Sequence, residues 1–85
     1  MNHFRVSVRI LPRPGILDPQ GTAVAHALHS LGFSDVTDVR VGKNIVLDVA
    51  APNASSADDA VRDMCERLLA NPVTEDFEIA GIVSL

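Results

Sequence analysis

Phe4, Val6, Val8 and Ile10 alternate with Arg5, Ser7 and Arg9 near the start of the chain. A period of two puts every apolar side chain on one side of an extended backbone, so residues 4–11 are predicted to form a half-buried strand. Pro12, Pro14 and Gly15 end it, because proline has no N–H to give to a ladder. The spacing then becomes helical: Val24, Ala27, Leu28 and Leu31 fall on one face of a helix. Asp18-Pro19 marks its start. The residue before proline is driven out of the α region, as an N-cap must be, and the Asp18 carboxylate can accept orphan backbone N–H bonds. Pro19 fits the first helical position, and Gly32 supplies a left-handed stop.

Two further strands are predicted at about 37–41 and 45–50, joined as a hairpin by Gly42-Lys43-Asn44. Pro52-Asn53-Ala54 is a loop. Ser55 or Ser56 caps a second helix, with Asp58 and Asp59 favourable near its positive end. Its apolar stripe is Ala57, Val61, Met64, Cys65 and Leu68, and Asn71-Pro72 closes it. A last strand runs from about 76 to 83. The predicted class is α+β, in the order β-α-β-β-α-β of the ferredoxin-like plan: a single domain over residues 1–85, with an antiparallel sheet carrying two helices on one face.

The other sheet face collects Arg5, Ser7, Arg9, Asp38, Arg40, Val46, Asp48, Glu78, Ala80 and Ile82. Mixed charges with a few apolar groups suit pairing with a second copy of the chain. A chain of 85 residues buries only roughly 60–65% of its unfolded surface, so association would relieve a marginal core. A homodimer or homotetramer formed through the sheet is expected, with Arg5, Arg9, Arg40, Val46 and Ile82 at the interface.

Composition and charge narrow the function. Apolar residues make up 47% of the chain and charged ones 21%, a globular balance that argues against disorder. No apolar run reaches the roughly 18–20 residues of a membrane span, and the N-terminus alternates where a signal peptide would be apolar, so a cytoplasmic address is expected. A net charge of −4, no Trp or Tyr and three Phe disfavour nucleic acid as a partner. Residues 1–17 hold Arg5, Arg9 and Arg13 with no acid, while the remainder is strongly acidic, a split able to orient a protein partner.

Candidate chemistry is sparse. Cys65 is the only thiol, which excludes an internal disulfide, and its place in an apolar stripe marks an inert cysteine. His26 and His29 share a helical face, but no third metal ligand is placed by local spacing; they read as solvent-facing or as contacts to another chain. Asp58, Asp59, Asp63 and Glu66 form the wet face of the second helix, with Arg62 and Arg67 as i, i+4 partners. Gly42-Lys43 lacks the upstream glycine and the following Ser or Thr of a phosphate loop. Gly21, early in a helix, costs about 1 kcal/mol relative to alanine; close approach of another backbone or simple tolerance near a helix end both account for it. No catalytic residue and no metal site are predicted, which suits an accessory subunit.

The segment Gly15-Ile16-Leu17-Asp18-Pro19-Gln20-Gly21 resembles the GVLDPQG signature of the PurS family, the small subunit of phosphoribosylformylglycinamidine (FGAM) synthase. The resemblance continues through Ala23-Val24, residues 26–33, Asp38-Val39-Arg40-Val41-Gly42-Lys43 and residues 64–77, covering nearly the whole chain in order. Departures fall at Asn44, Thr74 and Phe77, outside the signature loop; Phe77 stands where Tyr is common and removes a hydroxyl. The resemblance implies a part in an ATP-dependent ligase of purine biosynthesis that converts formylglycinamide ribonucleotide to its amidine. A glutaminase subunit (PurQ) would release ammonia, and a synthetase subunit (PurL), which would hold ATP and magnesium, would use it. This chain would bind no cofactor itself. As a dimer it would join the two and help shield the ammonia. Neutral ammonia is the nucleophile, and bulk water would protonate and dilute it.

Connecting segments carry recognition more often than the elements they join. The expected partner contacts are therefore Arg13, Gly15, Asp18, Gln20 and Gly21 in the first loop, Gly42 and Lys43 in the hairpin, and Asn71, Glu75 and Asp76 before the last strand. A stand-alone ACT-like sensing domain shares the element order and would bind an amino acid at a dimer interface. An acylphosphatase would need a phosphate cradle that Pro12-Arg13-Pro14-Gly15 cannot provide, and a copper chaperone would need two cysteines.

Overall fold

A computed structural model describes all 85 residues. The elements are β1 (Asn2–Pro12), α1 (Pro19–Ser30), β2 (Lys43–Ala51), α2 (Ala54–Met64) and β3 (Glu75–Ser84), with a wide π turn (Cys65–Leu69) extending α2. The order keeps the ferredoxin-like succession of strands and helices, short of one strand: the antiparallel sheet runs β2-β1-β3. Placing β1 at the centre follows from its composition, since Val6, Val8 and Ile10 are completely buried and Phe4 nearly so. On the same face, α2 buries the short stripe Ala57, Val61 and Cys65. Two of these three are small, so the helix lies close against the strands. Ile45, Leu47 and Val49 of β2 and Phe77, Ile79 and Ile82 of β3 flank this core.

Residues 37–41 form no strand. One of their backbone groups is held by the start of α1 instead: the Val41 N–H donates to Asp18 Oδ2 at 2.8 Å. The expected hairpin is absent for the same reason, because β2 begins at Lys43, already paired with Ile10. Gly42 lies so close to β1 that a Cβ there would sit 2.1 Å from the Ile10 carbonyl oxygen. Glycine is needed here by close approach, not by a hairpin turn.

Only one helix lies on the sheet. The stripe of α1 is uncovered, with Val24 41% and Leu31 73% exposed, and Gly21 is its single buried residue. The molecule is accordingly long, 52 × 26 × 14 Å. The second helix cap is Asn53, whose Oδ1 accepts from the Ser56 N–H at 2.8 Å, and not Ser55 or Ser56. The π turn, closed by the Ala70 N–H to the Cys65 carbonyl at 3.0 Å, adds a residue to the last turn. That extra residue leaves Leu68 81% exposed and packs Leu69 and Ala70 on the core in its place.

One inserted residue also rearranges the open sheet face. Register shifts between Ser7 and Val8, leaving Ala80 as a bulge in β3. The apolar alternation of β3 therefore changes phase after Ile79. Ile82 pairs with Val6 and joins the core flank, so it does not lie on the open face as expected, and Val83, opposite Arg5, lies there instead. Arg40 belongs to no strand, yet its side chain lines a groove with Arg9 and Glu78 of that face. No helix is long and apolar enough to cross a membrane.

Candidate functional site: one end of the sheet

The end of β1, the start of β2 and the start of β3 come together at one end of the sheet, as the pairs Ile10–Lys43 and Pro12–Glu75 show. Every connecting segment expected to meet a partner is attached there. Arg13 organises one side: its Nε donates to Asp76 Oδ1 at 3.0 Å and its Nη2 to the Pro72 carbonyl at 2.8 Å. Its backbone N–H donates to the Thr74 carbonyl at 2.8 Å. Asn71 and Glu75 complete that turn, with the Asn71 N–H on Glu75 Oε1 at 2.8 Å and the Val73 N–H on Asn71 Oδ1 at 3.0 Å. Arg13, Asn71, Glu75 and Asp76 thus hold each other, and their charges are largely satisfied within the chain.

Asp18 organises the other side. Its Oδ1 accepts from the Gly21 N–H at 3.0 Å, as a helix cap should, and its Oδ2 accepts from Val41. One carboxylate therefore fastens the first turn of α1 to the returning strand-like segment. These two backbone donors hold the Asp18 carboxyl below the usual range. Gly21 is explained by the same contact, since a Cβ there would lie 2.2 Å from the Val39 carbonyl oxygen. Close backbone approach, one of the two sequence-level accounts, is what the fold uses. Gly15, at φ +84, turns the chain between Arg13 and Ile16, whose N–H donates to the Arg13 carbonyl at 3.1 Å. Gln20 is exposed beside it.

Lys43 differs from every other cation. All six arginines are in ion pairs: Arg5–Asp48, Arg9–Glu78, Arg13–Asp76, Arg40–Asp38, Arg62–Asp58 and Arg67–Asp63. Lys43 has none, and it is exposed at the sheet end. A shallow groove of about 280 Å³, which Lys43 does not line, is bounded by Arg9, Pro12, Arg40, Asp76 and Glu78. Because its arginines already face carboxylates, the groove is a poor anion site.

Groups with reactive potential are occupied elsewhere. Burial pushes the Cys65 thiol up, away from the nucleophilic thiolate. The His29 ring hydrogen-bonds to the Val36 carbonyl at 2.8 Å, and no three His, Cys, Asp or Glu side chains converge on a metal position. Sequence reasoning missed the link between Asp18 and Val41, which joins residues 23 apart, and the Arg13–Pro72 bond. Neither has a local signature; only Asn53, three residues before Ser56, was detectable as a cap.

Residues 5–82 match the family model of PurS: Phosphoribosylformylglycinamidine (FGAM) synthase. The chain is 45% identical to the PurS subunit of phosphoribosylformylglycinamidine synthase from Bacillus subtilis, over 95% of this chain and 98% of that one. It is 44% identical to the Synechocystis subunit, over 94% and 80% of the two chains. Among solved structures, Thermus thermophilus PurS superposes with a TM-score of 0.85 at 37% identity, covering 98% of each chain. A chain of the PurLQS structure from Thermotoga maritima superposes with a TM-score of 0.83 at 33% identity, covering 100% of each chain. This agreement along the full length favours the subunit over an ACT-like sensing domain, and the chain belongs to the PurS family, the small subunit of the ligase FGAM synthase.

Proposed function

We propose that this subunit works by contact, joining the glutaminase (PurQ) and synthetase (PurL) subunits of FGAM synthase and helping to shield ammonia passing between them. The observation that carries this reading is Lys43. It is the one basic side chain without a carboxylate of its own, at the sheet end where the signature loop and the turn before β3 also lie. An unpaired, exposed cation on rigid backbone is free to meet an acidic patch on a partner without breaking an internal bond. The Thermotoga maritima assembly, by its name, combines PurL, PurQ and PurS, which supports the same arrangement here. ATP and magnesium belong, on this reading, to the synthetase. Shielding has a chemical purpose: a closed path keeps ammonia unprotonated and concentrated until it reacts.

The test is Lys43→Glu in the reconstituted complex. Glutamine-dependent amidation is expected to fall while activity with free ammonium salts persists, and the variant should lose co-migration with its partners on a sizing column run with glutamine and ADP. Normal values for both activities would show that this end is not a docking surface.

A further inference from the structure

We infer that Asp18 is a positioning residue, a reading that rests on the docking role proposed for Lys43: its carboxylate fixes the backbone two residues before Lys43 and so presents that cation to the partner. A charge serves recognition best where its backbone is already held, because ordering a loose segment on binding offsets the attraction. Lys43 is the first residue of β2, and its pair with Ile10 is the last of that ladder. Ladder ends fray unless something beyond the last pair restrains them.

The segment leading into Lys43 has little restraint of its own, since residues 36–42 belong to no helix or strand. Two side chains reach its end. Arg40 Nη1 donates to the Pro12 carbonyl at a long 3.5 Å, whereas the Val41 N–H donates to Asp18 Oδ2 at 2.8 Å. The Asp18 bond is the firm one, and it lies just outside the last pair of the ladder.

The choice of aspartate has the same explanation. Capping α1 needs one acceptor, and Ser or Asn would cap as well as Asp. Only a carboxylate has an acceptor and no donor on each side. Oδ1 takes the Gly21 N–H and Oδ2 the Val41 N–H, so both oxygens are used. Gly21 completes the device: having no Cβ, it lets the Val39 carbonyl close in on the first turn of α1 and brings Val41 within reach. Asp18 stands in the signature loop, yet both its oxygens are turned to this chain. It acts on the partner through Lys43.

Titrating the full chain into synthetase and glutaminase, read as glutamine-dependent amidation, gives an apparent dissociation constant. Asp18→Ser keeps a cap but loses the Val41 bond, so the Gly21 amide should retain its exchange protection while the Val41 amide exchanges faster. The dissociation constant is expected to rise about tenfold in the wild-type background, and less than about twofold where Lys43 is already alanine. Asp18→Asn, an equally good cap whose N–H₂ would oppose the Val41 N–H, should repeat both results and decides if Asp18→Ser fails to fold. Asn53→Ala removes the cap of α2 and should change nothing, separating positioning from the loss of a cap. Equal losses with and without Lys43 would overturn the inference by making Asp18 a contact in its own right. Wild-type affinity in both Asp18 variants, with Lys43→Ala impaired, would overturn the positioning role and leave the docking role standing. Wild-type affinity in Lys43→Ala would overturn both.

Discussion

The two helices have nearly equal length, 12 and 11 residues, and the same periodicity rules find both, yet the molecule treats them in opposite ways. α2 has two faces. Ala57 and Val61 are buried on β1, and the outer side carries the pairs Asp58–Arg62 and Asp63–Arg67 at 3.1 and 3.0 Å. α1 has an apolar stripe and no charged face, and the sheet covers none of it. Amphipathic spacing shows that a stripe will be covered; it does not show by which chain. What separates the cases is the other face. A helix meant for water on one side carries charge there, and α1 carries none.

Substitutions that distinguish the two regions sharpen this comparison. The largest effect is expected in the β1–α2 core: Ile10→Ala should cost about 2–5 kcal/mol, read from urea denaturation, because a fully buried side chain leaves a cavity. Second is Gly21→Ala. Helix propensity alone favours alanine by about 1 kcal/mol. The Val39 carbonyl nevertheless stands where the methyl would go, so the variant is expected to lose about 1–3 kcal/mol. A stabilised variant would mean that α1 does not pack against residues 39–41.

Asp18→Ala should remove the cap of α1 and loosen its first turn. Amide exchange is expected to quicken in α1 and at Val41 while the core of β1 keeps its protection. Asp18→Asn is no conservative replacement, because its amide N–H₂ would face either the Gly21 or the Val41 donor. The same carboxylate sets a pH dependence. Its folded pKa lies below the unfolded value of about 3.9, so its contribution is complete above that pH and is lost as pH falls through the lower folded value. The Gly21 and Val41 amide resonances should accordingly titrate with a midpoint below about 3.9.

The smallest effect belongs to the open sheet face. Arg5 donates to both Asp48 oxygens, at 2.9 and 3.1 Å, across directly paired residues, which lowers the Asp48 carboxyl from its usual range. Both side chains are about half exposed. Arg5→Ala should therefore change stability only slightly, and less at high salt, in thermal melts at two ionic strengths.

Much of this molecule was legible along the chain. Strict alternation from Phe4 to Ile10 identified the central strand, Asp18-Pro19 and Gly32 bounded α1, and Ala57-Val61-Cys65 marked the buried stripe of α2. The signature loop pointed to the family. Less legible was the candidate site, because its residues are joined by contacts between distant parts of the chain. Arg13 reaches Pro72 and Asp76, and Asp18 reaches Val41. The absence of charge on α1 was visible in the letters, but its meaning required knowing that the sheet leaves that helix uncovered.

Local chemistry by itself thus determined where strands and helices begin, since caps, prolines and side-chain period act within a few residues. The tertiary structure decided the rest. Whether residues 37–41 form a ladder depended on competition for their backbone N–H groups, which the Asp18 carboxylate wins at Val41. Which way Ile82 points depended on one extra residue between paired strands, and which leucine is buried depended on a π turn one residue wider than an α turn. Each outcome turns on a partner supplied from elsewhere in the fold, and no window of neighbouring residues contains that partner.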